Sequence, residues 1–79
     1  MIHENLKKIR LAKGMTQLHL AKKLGISNMA YSRMESGKTK IDAEILKVLS
    51  KELNVRVEVF FTNELTESVI IELAIDEVV

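Results

Sequence analysis

Three glycines divide the first 40 residues of this chain into short helical segments. Gly14, Gly25 and Gly37 are spaced 11 and 12 residues apart, and the 79-residue sequence contains no proline. Glycine often ends a helix because it adopts a left-handed backbone at little steric cost. The spacing therefore predicts three short helical segments, each ended by a glycine.

The residues between the glycines support this division. Thr16 and Ser27 precede the second and third segments, and hydroxyl side chains are typical helix N-caps. Helical spacing predicts a buried face of the second segment that consists of Leu18, Ala21 and Leu24, with Leu20 as a candidate addition.

The third segment has two different sides. At about 100° per residue, one side of the segment is polar and carries Asn28, Met29, Ser32, Arg33 and Ser36. The other side carries Ile26, Ala30, Tyr31 and Met34. We expect the second side to pack inward and the first to present an amide, a thioether, two hydroxyls and a guanidinium outward.

A fourth helix is predicted after Asp42, a candidate N-cap, and is expected to end at Asn54. Beyond it the pattern is ambiguous. Residues 55–61 alternate like a half-buried strand but also fit one helical turn, and residues 65–79 fit either helix or strand. The predicted fold class is all-α, a compact bundle of about five short helices, with a C-terminal extension of uncertain type.

Charge is distributed unevenly along the chain. Residues 1–40 contain nine Lys and Arg against two acids, a net charge of +7, whereas residues 41–79 contain three against nine, a net of −6. A strongly basic half within a nearly neutral protein indicates a surface that binds a polyanion.

Composition excludes several classes of protein. There is no cysteine, so disulfides and thiolate metal sites are ruled out, and no segment is apolar enough for a signal peptide or a membrane span. We therefore expect a cytoplasmic protein.

His3 and His19 have no evident carboxylate partner, and no catalytic or phosphate-loop motif occurs. Neither an enzyme nor a bound cofactor or metal is expected.

Two short helices joined by a tight turn, the second with an outward polar face, define a helix-turn-helix. Ala21 is small enough for a close helix crossing, Gly25 lies in the turn, and Tyr31 and Met34 can anchor the second helix. The run GMTQLHLAKKLGISNMAYSRMESGKTK, continued by LKVLSKELNVRVEVFF, resembles the phage-repressor and Cro-like regulators, often called XRE-like. The resemblance covers roughly residues 3–61.

This resemblance implies a lambda-repressor-like fold that binds double-stranded DNA as a dimer, and it assigns roles by position. The implied base-reading residues are Asn28, Met29, Ser32 and Arg33. The implied backbone or flanking contacts are Gln17, Ser27, Ser36, Lys38 and Lys40. Arg10 and Glu35 occupy positions that often form a buried ion pair between the first and third helices.

The chemistry of these side chains agrees with the implied roles. Arg33 can form a bidentate contact with guanine and Asn28 with adenine, each contributing about 1–3 kcal/mol of discrimination. Met29 departs from the usual Gln or Ser, so we expect either apolar contact with a thymine methyl group or simple packing. Tyr31 replaces a more typical Ile or Val, and its hydroxyl needs solvent or a partner.

We divide the chain into a DNA-binding domain, residues 1–61, and an apolar and acidic extension, residues 62–79. The extension is expected to form the dimer interface, with the segment around residues 57–61 as the rival. The candidate dimerisation residues are Val57, Phe60, Phe61, Val69, Ile71, Leu73 and Ile75.

The leading functional hypothesis is a sequence-specific transcriptional regulator, a repressor, that binds a near-palindromic operator as a homodimer through the major groove. A second hypothesis is an antitoxin that regulates its own operon and binds a toxin through its C-terminal segment. A third is a protein-interaction adaptor without DNA binding, which the basic half of the chain disfavours.

Overall fold

The computed structural model describes residues 1–72, which form five α-helices and one 3-10 helix without any strand element. The α-helices are α1 (Ile2–Ala12), α2 (Gln17–Leu24), α3 (Asn28–Glu35), α4 (Ala43–Leu53) and α5 (Glu67–Glu72), and the 3-10 helix spans Val57–Phe61. The predicted all-α class is confirmed. None of these helices is long and apolar enough to cross a membrane.

Short side-chain hydrogen bonds cap the helices α2, α3 and α4. Thr16 Oγ1 accepts a hydrogen bond from the His19 amide at 3.1 Å, and Ser27 Oγ accepts one from the Ala30 amide at 3.0 Å. Asp42 Oδ1 does the same for α4, at 2.9 Å from the Ile45 nitrogen. These bonds satisfy amides that have no partner inside the helix. Each of the three helices therefore begins at the residue directly after its cap.

The core is mostly aliphatic because the chain has few aromatic residues. α2 packs against α3 and α4, while α1 packs against α3, the 3-10 helix and α5. The fully buried side chains are Leu6, Ile9, Leu20, Ala21, Tyr31, Leu49, Leu53, Val55, Val59 and Phe60. One connected cluster therefore holds all six helices together.

The buried face of α2 differs from the prediction at one leucine. Leu20 and Ala21 are fully buried, whereas Leu18 is 49% exposed. The residues of a helix are separated by about 100°, so Leu18 lies about 60° to one side of Ala21, beyond the edge of the buried stripe. Expecting Leu18 inside the core was wrong because two neighbouring helices, α3 and α4, decide the centre of that stripe.

Residues 57–61 form a helical turn, the second of the two alternatives that the sequence left open. Val59 and Phe60 are fully buried, while Val57 and Phe61 are exposed. The buried Asn5 side chain donates to the carbonyls of Phe60 and Thr62, both at 2.9 Å, and so fastens this turn to α1. Phe60 is thus part of its own chain's core, which corrects its assignment to a dimer interface.

After the 3-10 helix, residues 62–66 form a turn that leads into α5. Leu65 and Ile70 are buried in the same core cluster, Val69 is half-buried, and Ile71 is 69% exposed. The extension is expected to form the dimer interface, yet two of its apolar residues, Leu65 and Ile70, pack within their own chain. The candidate dimerisation residues Leu73 and Ile75 lie outside the described residues.

Candidate nucleic-acid interface

The turn between α2 and α3 is built from local backbone bonds. Gly25 ends α2 with a left-handed backbone, φ +70°, and its amide donates to the Lys22 carbonyl at 3.1 Å. The next amide, of Ile26, donates to the Ala21 carbonyl at 3.0 Å. A side chain at position 25 would meet no other atom, so glycine is needed here for its backbone angle rather than for space.

α3 separates its residues into a packed side and a solvent side. Tyr31, Met34 and Glu35 are buried against the other helices. The exposed residues on and next to α3 are Ser27, Asn28, Met29, Ser32, Arg33 and Ser36. All four predicted base-reading residues therefore lie on the solvent side of one helix, and Met29 is 65% exposed rather than packed.

Two of the serines already take part in bonds with the helix itself. Ser27 Oγ accepts from the Ala30 amide, which leaves its own hydroxyl proton available to another acceptor. Ser36 Oγ donates its proton to the Arg33 carbonyl at 3.1 Å, so it can offer only its lone pairs to another group.

The loop after α3 is tied to the end of that helix. The amides of Lys38 and Thr39 both donate to the Arg33 carbonyl, at 2.9 and 3.3 Å, and the Gly37 amide donates to the Met34 carbonyl at 3.1 Å. The side chains of Lys38 and Lys40 are exposed. Two ammonium groups are therefore held beside the C-terminal end of α3.

A buried ion pair joins α1 to α3. Arg10 Nε lies 2.9 Å from Glu35 Oε2, and Arg10 Nη2 lies 2.8 Å from Glu35 Oε1, so the contact is bidentate. Arg10 Nη1 also donates to the Met15 carbonyl at 2.9 Å. Both charged groups are thereby satisfied, which a buried pair requires to offset its desolvation.

Gln17 belongs to this network rather than to open surface. Its amide nitrogen donates to Glu35 Oε1 at 3.3 Å, and the residue is half-buried. Burial opposes ionisation of Glu35, but the hydrogen bonds from Arg10 and Gln17 outweigh it and lower the pKa of Glu35. The carboxylate is therefore charged, and it orients the amide of Gln17.

The Tyr31 hydroxyl lies next to the ion pair without a proper partner. It is enclosed in the core, and no hydrogen bond of acceptable length and angle reaches it. Burial raises the pKa of Tyr31 strongly, and the nearby Glu35 carboxylate raises it further. The hydroxyl therefore does not reach solvent, and the polar group beside it is the Glu35 carboxylate.

Two basic residues that the sequence analysis did not select also border this surface. Lys7 lines a depression together with Gln17, Ser32, Glu35 and Ser36, and the His3 ring packs against Gly37. The available signal was the spacing of residues 3, 7 and 10, which share one face of α1. Helical spacing alone does not show that this face of α1 borders α3, so the sequence did not select these residues.

Comparison with known proteins identifies the family. A family model described as helix-turn-helix matches residues 6–60. The HTH-type transcriptional regulator YqaE of Bacillus subtilis is 39% identical over 69 residues, which cover 87% of this chain and 60% of YqaE. No solved structure gives a significant match.

Two further relatives share the same region. Antitoxin PezA of Streptococcus pneumoniae is 34% identical over 55 residues, 70% of this chain and 35% of PezA. The HTH-type transcriptional activator BcrR of Enterococcus faecalis is 37% identical over 62 residues, 78% of this chain and 30% of BcrR. The chain thus spans between 30% and 60% of these relatives' lengths. With an exposed polar α3 behind a tight turn, it belongs to the XRE-type helix-turn-helix family of DNA-binding transcriptional regulators.

Proposed function

We propose that this protein is a sequence-specific regulator that inserts α3 into the DNA major groove and binds a near-palindromic operator as a homodimer. The observation that carries this proposal is the division of α3 into a buried side and a solvent side with four adjacent exposed side chains. A helix of this kind fits the major groove, where each base pair presents a distinct pattern of donors and acceptors.

Within this proposal, each side chain on the solvent side of α3 has a specific task. Arg33 donates two hydrogen bonds to guanine, and Asn28 exchanges two with adenine. Ser32 adds a single donor or acceptor. Met29, which is exposed, contacts a thymine methyl group instead of forming a hydrogen bond.

The backbone contacts follow from residues at the edges of α3 and in the loop after it. Gln17, Ser27, Lys38 and Lys40 are assigned to phosphates. Ser36, whose hydroxyl proton is bonded to the Arg33 carbonyl, is assigned a flanking contact through its lone pairs. The net charge of +7 over residues 1–40 supports this assignment, because each neutralised phosphate releases condensed counterions.

Apolar side chains toward the C-terminal part of the described chain support dimerisation. Val57, Phe61 and Ile71 are exposed, and Val69 is half-buried. An exposed apolar side chain gains free energy when a second copy of the chain covers it. A two-fold axis through such a surface would place two copies of α3 about 34 Å apart, one turn of DNA.

Selection of bound sequences from a random pool of duplex DNA tests the proposal. The expected result is a motif with two inverted half-sites, in which Arg33→Ala loses preference at one base pair of each half. Recovery of no enriched motif, or of one that Arg33→Ala leaves unchanged, would overturn it. A reporter gene placed after the selected site then measures whether binding represses transcription, as we propose.

A second candidate function is that of an antitoxin. Its support is the similarity to PezA, which is named an antitoxin, together with an extension, residues 62–79, that combines apolar and acidic residues. The test is co-expression with the product of the adjacent gene. Copurification of the two proteins, and growth inhibition by the partner expressed alone, would establish this function, whereas a harmless partner that does not copurify excludes it.

A further inference from the structure

One face of α1 runs along the polar side of the helix-turn-helix. His3, Lys7 and Arg10 are separated by four and three residues, so they fall within about 60° of one another around the helix. Arg10 reaches Glu35 at the end of α3. The other two residues lie farther toward the start of α1 on the same face, and the core does not enclose either of them.

Lys7 borders a depression where α1, α2 and α3 meet. The depression measures about 210 Å³ and is lined by Lys7, Gln17, Ser32, Glu35 and Ser36. The amide nitrogen of Gln17 carries two hydrogens, and the bond to Glu35 uses only one. Arg10 balances the charge of Glu35, so the ammonium group of Lys7 gives this depression a net positive charge.

The His3 ring lies against Gly37, at the beginning of the loop that carries Lys38 and Lys40. A Cβ atom built on Gly37 would lie 2.8 Å from His3 Nε2, 2.9 Å from Cε1 and 3.1 Å from Cδ2. The edge of the imidazole ring that contains Nε2 therefore points at Gly37. Gly37 also has φ +83°, so a side chain at this position is excluded both by strain and by the ring.

We propose that His3 and Lys7 extend the DNA-binding surface onto α1. Lys7 binds a backbone phosphate of the duplex beside Gln17 and Ser32, and His3 is a positioning residue for the loop that carries Lys38 and Lys40. This inference rests on the proposed function, since it places α1 against the backbone that borders the major groove occupied by α3.

The proposed phosphate site combines features that a phosphodiester requires. An ammonium group supplies charge, while an amide hydrogen and a hydroxyl supply directed donors on a second side. The site lies next to Ser32 and Ser36, so a phosphate bound there would be adjacent to bases read by α3. Contact with one phosphate contributes about 0.9 to the slope of log K against log salt.

The test for Lys7 compares two neighbouring lysines of α1. Lys7→Gln and Lys8→Gln remove the same charge, but Lys8 lies on another side of the helix, beside Leu11, Leu65 and Ile70. Binding to the selected duplex is measured from low to high salt. Lys7→Gln should lower the salt slope by about one unit and weaken all sequences alike, while Lys8→Gln should leave the slope unchanged.

Equal effects of the two substitutions would overturn the role of Lys7, because they would reflect net charge alone. This result differs from failure of the proposed function itself, in which the wild-type chain binds no duplex selectively at any salt concentration.

The test for His3 uses His19 as its control. His3→Ala should weaken DNA binding about three- to tenfold and shift the amide resonances of residues 37–40, while His19→Ala should do neither. His3→Phe, which keeps a ring against Gly37, should recover most of the affinity. Persistent loss in His3→Phe would overturn the positioning role in favour of a direct contact, and unchanged loop resonances in His3→Ala would overturn it as well.

Discussion

α3 and α5 each place one side on the protein core and leave the other side open, but the open sides differ in chemistry. The open side of α3 is mainly polar: Asn28, Ser32 and Arg33 supply an amide, a hydroxyl and a guanidinium, and Met29 is its one large apolar side chain. α5, in contrast, buries Ile70 and exposes Ile71. A polar exposed side is stable in water without a partner, whereas an exposed isoleucine gains free energy when another surface covers it.

The two helices also differ in how firmly they are held. α3 has a side-chain cap at Ser27, a bidentate ion pair at Glu35 and a loop fastened to the Arg33 carbonyl. α5 begins at a longer cap bond, 3.3 Å from the Val69 amide to Thr66 Oγ1. α3 is therefore held more firmly than α5, which agrees with the roles we propose for them, DNA reading by α3 and contact with a second chain by α5.

The largest expected effect concerns the anchor of α3. Glu35→Ala leaves the Arg10 guanidinium buried without its partner, which should reduce the free energy of unfolding by about 3–5 kcal/mol. Urea denaturation measures the loss. If the variant unfolds at nearly the wild-type urea concentration, the ion pair does not hold α3 in place. α3 would then not be held more firmly than α5 by this pair.

The same anchor should make stability depend on pH. The pKa of Glu35 in the folded chain is lower than its ordinary value of 4.5. The ionised carboxylate therefore adds its full share to the free energy of unfolding above pH 4.5. This share should be lost as the pH falls through the pKa of Glu35 in the folded chain. Wild type and Glu35→Gln should therefore converge in stability below about pH 4.5. A difference that stays constant from pH 7 down to pH 3 would contradict this sign.

The polar side of α3 should affect DNA binding without affecting folding. Arg33→Ala should cost about 1–3 kcal/mol on the selected site and relax the preference at one base pair, because a bidentate contact is lost. The matched control is Arg56→Ala, which removes an exposed arginine far along the chain. A similar loss in both variants would mean that Arg33 contributes only charge.

The apolar side of α5 should affect association between chains. Ile71→Glu should weaken dimerisation about tenfold, or about 1.4 kcal/mol, because a charge then enters an apolar interface. Met29→Glu, which adds the same charge to α3, should leave dimerisation unchanged and weaken DNA binding. Sedimentation at several concentrations separates the two outcomes. If the Ile71→Glu variant dimerises normally, α5 does not form the interface, and Val57 and Phe61 become the candidates for it.

A truncation at residue 63 is a poorer test of the same point. It would also remove Leu65 and Ile70, which are buried in the core of their own chain. Loss of dimerisation could then result from a destabilised fold, so the point substitution at Ile71 is preferable.

The smallest expected effect concerns the loop that follows α3. Lys38→Gln should weaken binding to all DNA sequences alike and lower the salt slope by about one unit, since one phosphate contact is lost. Lys47→Gln, on the exposed side of α4 in the acidic part of the chain, is the control. A loss confined to one base pair would instead make Lys38 a base-reading residue.

Features that depend on a few consecutive residues were predictable. The caps Thr16, Ser27 and Asp42 and the glycine stops are local, because each needs only its own backbone angle or an amide three residues away. The two sides of α3 were predictable for the same reason, since helical period alone places Arg33 and Tyr31 on opposite sides. Sequence by itself therefore determined where α1–α4 lie and which side of α3 is polar.

Only the tertiary structure decided which of several equivalent apolar or polar residues face each other. Leu20 is chosen over Leu18 because α3 and α4 both cover it, and Phe60 is buried beneath α1, where Asn5 binds its carbonyl. The pairing of Gln17 with Glu35 and of His3 with Gly37 likewise joins residues far apart in sequence. Such choices depend on the relative placement of whole helices, which helical periodicity along one segment does not contain.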